Sequence, residues 1–161
     1  MSENRIPENL VICIDTSRSM FRKDFSPNRL ICCVSAVKTL IKERFSLDSL
    51  SAFSLIKYSD KAEKISEFTT SSFENKLIEA LNSLKCGGYS AMGDALALSI
   101  KMLIAELRKI SAKTPRIVLI SDGNYIRTVA DPLKMARLAQ GLNIRIDTLG
   151  IGNTRQDNIL K

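Results

Sequence analysis

Residues 10–14, Leu-Val-Ile-Cys-Ile, form an apolar run without a polar break, and the run stops at Asp15. A strand with one wet face alternates apolar and polar residues. A run that is apolar at every position predicts a strand covered on both faces, as in a parallel sheet flanked by helices. The rest of the chain fits that plan. Ser26 and Pro27 predict a helix N-cap and a first-turn proline, and Leu30, Cys33, Val34, Val37, Leu40, Ile41 and Phe45 then recur at helical spacing. Residues 50–58 and 62–68 predict two more strands, so closely joined that an antiparallel hairpin is expected. Ser71 and Glu74 make a capping box before an apolar helical face of Phe73, Leu77, Ala80, Leu81 and Leu84. A loop over 85–89 leads to a long helix over 92–110, with Ala95, Leu96, Ser99, Met102, Leu103, Leu107 and Ile110 facing inward. Pro115 precedes a strand over 116–120 that ends in Ser121-Asp122-Gly123. Asp131-Pro132 opens a helix that Gly141 stops, and 144–149 is the last strand. The alternation predicts an α/β fold. Its sheet should be doubly wound, open and mostly parallel, with one antiparallel edge strand and helices on both faces. Residues 153–161 look like the first turns of a further helix.

With 161 residues the chain fits one domain, read as an extension over 1–8 and a domain over 9–161. The polar N-terminus is no signal peptide, and no run of about 18 apolar residues would span a membrane. A cytoplasmic location is the expectation. Four cysteines are present with no Cys-x-x-Cys pair, and there is no histidine. That composition excludes zinc sites and the usual general base, and leaves Cys13, Cys32, Cys33 and Cys86 as buried or half-buried thiols. The net charge of +7 favours acidic partners. Direct nucleic-acid binding is not expected, since no aromatic-interleaved basic motif occurs. No Gly-x-Gly-x-x-Gly or Walker loop follows the first strand, which argues against nucleotide binding. An Asp ending a first strand is also where a haloacid-dehalogenase nucleophile sits. That Mg²⁺-dependent phosphohydrolase chemistry wants a second Asp two residues on, where this chain has Ser17.

Asp15, Ser17, Ser19, Ser90 and Asp122 are candidate metal ligands. They are oxygen donors, and a small hard cation such as Mg²⁺ takes oxygen in an octahedral shell. The set is poor in negative charge, so the ion would borrow a carboxylate from outside. Each piece has a plainer explanation. Asp favours loop and helix starts, serine is common in loops, and Gly87-Gly88 alone marks a turn.

Taken together, the motifs resemble those of von Willebrand factor type A domains. Asp15-Thr16-Ser17-Arg18-Ser19 is similar to their Asp-x-Ser-x-Ser motif, residues 87–96 to their second loop, and Ser121-Asp122-Gly123 to their third. Ser90 stands where a Thr usually sits. The resemblance implies a Rossmann-like fold and a metal-ion-dependent adhesion site (MIDAS) holding Mg²⁺, with Mn²⁺ or Ca²⁺ as substitutes. Ser17, Ser19 and Ser90 would be direct ligands, and Asp15 and Asp122 would orient water and hydroxyls. It further implies a non-enzymatic module whose partner protein presents an Asp or Glu. The match lacks the family's final helix and strand. Residues 23–30, with Asp24-Phe25-Ser26-Pro27-Asn28-Arg29-Leu30, resemble the intracellular type A domains of the transcription and repair factor IIH and of the proteasome regulatory particle. That likeness implies work within a multi-subunit complex. Arg18, Phe21, Arg22, Lys23 and Phe25 are candidate partner contacts beside the site. Phe21 and Phe25 are either core contacts or exposed anchors.

Overall fold

The computed structural model describes residues 6–110, 113–124 and 128–152. Strand β1 (Glu8–Asp15) is followed by helix α1 (Arg29–Leu47), the hairpin β2 (Ala52–Tyr58) and β3 (Ala62–Lys64), and helices α2 (Glu74–Asn82) and α3 (Met92–Leu107). Strand β4 (Thr114–Ser121), helix α4 (Pro132–Gly141) and strand β5 (Arg145–Gly150) complete it. The five-stranded sheet runs β3-β2-β1-β4-β5. β1 pairs parallel with β2 and β4, β4 pairs parallel with β5, and β3 is the antiparallel edge. This is the expected architecture.

The sheet order explains the unbroken apolar run. Leu10, Ile12 and Ile14 pack with Leu30, Val37 and Ile41 of α1 and Leu77 and Leu81 of α2. Val11 and Cys13 face the other way, onto Ala95, Leu96 and Leu103 of α3 and Ala139 of α4. Every position of β1 therefore needs an apolar side chain. Phe53 of β2 is fully buried and meets Phe45 of α1 edge to face, with ring centroids 5.1 Å apart. Phe53→Ala should cost about 3–5 kcal/mol in urea unfolding, since it removes a large side chain from a packed interior. Tyr58 at the end of β2 is also fully buried, and its hydroxyl donates to the Ile120 carbonyl of β4 at 2.9 Å, reaching across β1.

Several boundaries differ from those expected. α1 is capped by Asn28, whose side-chain oxygen accepts from Ile31 N at 2.9 Å, so Ser26 and the cis-bonded Pro27 lie outside it. The Ser71–Glu74 capping box does not form. Residues Ser71–Phe73 make a 3₁₀ turn without a side-chain cap, Ser71 Oγ donates to the Ser49 carbonyl, and Phe73 is exposed. β3 ends at Lys64, where both Ile65 N (2.8 Å) and Ser66 N (3.4 Å) turn to the Leu55 carbonyl. Ser66 Oγ accepts from Leu55 N at 2.8 Å, so a hydroxyl replaces a ladder partner, and pairing resumes only at the Phe53–Thr69 bridge. α3 stops at Leu107, and Ile110 is exposed, not inward. The helical start expected over 153–161 lies outside the described residues. Cys13 and Cys33 are buried and Cys32 and Cys86 half-buried, as expected of packed thiols. Burial pushes the Cys13 and Cys33 thiols up to about 12.

Candidate metal centre at the ends of β1 and β4

The strand order reverses direction between β1 and β4, and open α/β sheets place ligands outside the carboxyl ends of such a pair. Asp15, the last residue of β1, lies there, fully buried. Two loops and the end of β4 converge on its carboxylate. Ser17 N donates to Oδ1 at 2.8 Å, while Ser90 Oγ and Ser121 Oγ donate to Oδ2 at 3.2 and 3.0 Å. Burial pushes the carboxyl up to about 6. Hydrogen bonds from Ser17 oppose that rise, and the charge of Asp122 adds to it. Ser17 Oγ and Ser19 Oγ lie 3.1 Å apart. One hydrogen-bonded chain thus links Ser19, Ser17, Asp15 and Ser90.

The backbone holds the loops in register. Arg18 N donates to the Gly88 carbonyl at 3.0 Å, and Gly87 N to the Thr16 carbonyl at 2.8 Å. Of the two glycines only Gly88 is required. It has φ +74°, and a Cβ there would lie 2.6 Å from the Asp60 carboxylate, whereas Gly87 has open space. That carboxylate accepts from Tyr89 N at 2.9 Å, which shapes the approach to Ser90.

Asp122 is buried beside this cluster, and Asn124 N donates to its Oδ1 at 3.1 Å. Its Oδ2 accepts from Arg29 Nη1 at 3.0 Å. Arg29 is the first residue of α1, with a side chain 3% exposed, and its Nε and Nη2 also bind Asp24, at 2.8 and 2.6 Å. Sequence reasoning missed both Arg29 and Ser121 as parts of the site. The signal for Ser121 was its place in the Ser-Asp-Gly motif. For Arg29 it was a cation in the first turn of a helix, where the dipole disfavours one.

The proposed partner contacts flank the cluster. Met20 is buried and anchors the 3₁₀ turn Arg18–Phe21, leaving Arg18, Arg22 and Lys23 exposed. Phe21 is 58% exposed and Phe25 39%, so both project to solvent and neither is a core contact. A groove of about 700 Å³ is lined by Arg18, Ser19, Phe21, Arg22, Cys86 and Gly87.

Among the described residues, no group of three or more His, Cys, Asp and Glu could hold an ion. A cation at this place would therefore depend on serine hydroxyls as well as on Asp15 and Asp122. Hard neutral and anionic oxygens suit Mg²⁺, and the donor set fits it.

A doubly wound sheet with its polar cluster at the β1–β4 switch point defines a broad class of α/β domains. The family model of the von Willebrand factor type A domain matches residues 10–124, and the chain belongs to that family. It is similar to an uncharacterized protein of Borreliella burgdorferi (28% identical, 94% of this chain and 42% of that protein). It is also similar to general transcription factor IIH subunit 2 of Caenorhabditis elegans (27% identical, 91% of this chain and 39% of that protein). The chain thus spans about two fifths of the length of these curated relatives. In fold it resembles the crystal structure of the SpRpn10 VWA domain, with a TM-score of 0.78 and 19% identity over 97% of this chain and 81% of that one.

Proposed function

We propose that this domain is a non-enzymatic, cytoplasmic protein-interaction module that binds an Asp or Glu of a partner through a divalent ion. Mg²⁺ is the preferred ion, with Mn²⁺ or Ca²⁺ as substitutes. The observation that carries this is the convergence of Ser17, Ser90 and Ser121 on the buried Asp15 carboxylate, with Ser19 and Asp122 adjoining. In this role Ser17, Ser19 and Ser90 supply hydroxyl oxygen to the ion. Asp15 orients the Ser90 hydroxyl, which already donates to it, and both carboxylates orient water around the ion. The bound ion supplies an electrophilic point that an incoming carboxylate satisfies. Arg18, Arg22 and Lys23 draw that carboxylate in, and Phe21 and Phe25 offer apolar contact to the partner surface around it. The relative named as subunit 2 of general transcription factor IIH supports work inside a multi-subunit assembly.

A second role has its own support. Arg29 already offsets Asp122, which suits a scaffold whose ion site is vestigial and whose contacts are metal-independent. Thermal melting separates the two. An ion that binds only the native state at about 100 times its dissociation constant adds about 2.7 kcal/mol. The first role predicts that gain with Mg²⁺, its loss in Ser17→Ala, and EDTA-sensitive binding of an acidic peptide. An unchanged melting temperature in Mg²⁺ and Mn²⁺ selects the scaffold.

A further inference from the structure

Arg29 breaks two rules at once. It buries a guanidinium, and it puts a cation in the first turn of α1, where the helix dipole opposes it. Its position is nevertheless built. Asp24 takes Nε and Nη2 in a forked pair, and Asp122 takes Nη1. Gly152, after β5, leaves the space, since a Cβ there would stand 2.7–2.9 Å from the guanidinium atoms. Among the described residues the guanidinium pairs with no other carboxylate, and one of its two partners is a residue of the candidate metal centre. We propose that Arg29 is the resident counter-ion of that centre. It fixes the orientation of Asp122 and weakens the hold on a divalent ion, while Asp24 sets how much of its charge Asp122 feels. This deepens the metal-dependent role proposed above and rests on it.

Electrostatics gives the two salt-bridge partners opposite signs. Arg29→Met keeps the stem and removes a positive charge within a few ångströms of where a dication would sit. Asp24→Asn removes a negative charge and turns the guanidinium wholly toward Asp122. In a partly buried site each change is worth on the order of tenfold in ion affinity. A merely structural role predicts one sign for both variants, because either substitution loosens the start of α1.

The test is calorimetric titration of Mg²⁺ and of Mn²⁺ alone into wild type, Arg29→Met and Asp24→Asn, with melting curves to establish folding. Binding tightened on the order of tenfold in Arg29→Met and weakened in Asp24→Asn supports the proposal. If Arg29→Met does not fold, Asp24→Asn decides, because its side chain is 32% exposed and the fold depends on it less. Equal or tighter binding in Asp24→Asn overturns the proposal, as does weaker binding in both variants. Those results leave the metal-dependent role standing. Silence from wild type and from a folded Arg29→Met overturns both.

Discussion

Asp15→Asn should abolish the Mg²⁺-induced rise in melting temperature while the metal-free domain melts nearly as before. The carboxylate is the point on which Ser17 N, Ser90 Oγ and Ser121 Oγ converge, and it is one of only two anions in the donor set. Removing its charge leaves a dication with Asp122 alone, already paired with Arg29. The amide nevertheless preserves the fold. Its oxygen accepts from Ser17 N, and its NH₂ donates to serine hydroxyls that accept as readily as they donate. Burial also disfavours a charged Asp15, as its raised pKa of about 6 records, and the neutral amide avoids that cost. Metal-free stability should therefore change by about 1 kcal/mol or less. A variant that keeps its full Mg²⁺ shift would place the ion elsewhere.

Gly93→Ala should cost about 3 kcal/mol or more in urea unfolding. A Cβ at Gly93 would lie 1.8 Å from the Ala130 carbonyl oxygen and 2.7 Å from Thr128 Oγ1. The nearest obstacle is backbone, so no rotamer change relieves it, and overpacking of this kind reaches or exceeds the usual 1–3 kcal/mol. The segment cannot drift away, because Asp94 accepts from Ala130 N at 2.8 Å and from Val129 N at 3.4 Å. Gly141, with nothing within 4 Å, is the control, and Gly141→Ala should be neutral or slightly stabilising. Comparable losses at both positions would refute the close approach at α3.

The elements that were legible in the sequence owe it to burial on two faces. The run at 10–14 admits no amphipathic alternative, and β1 emerged with Asp15 at its end. The hairpin followed from its short connection. Boundaries set by a single hydrogen bond were not legible. Ser26 and Asn28 are both good caps, and only the fold decides that Asn28 reaches Ile31 N. Ser71 and Glu74 match a pattern whose hydroxyl found Ser49 instead. Ile110 keeps helical spacing past Leu107, where α3 ends, and its side chain is exposed. In the site, the motif residues announced themselves by type and by their place at strand ends. The partnership of Arg29 with Asp24 and Asp122 did not, since residues 29 and 122 meet only once α1 has packed against the sheet that holds β4.

The phenol of Tyr58 acts as a tie-rod beneath the candidate site. It links β2 to β4 across the strand that carries Asp15 and adds about 1 kcal/mol against splaying of the floor. A change of shape on engaging a partner then costs least at the rim, in the segments around Ser17 and Ser90, with the carboxylate as the pivot.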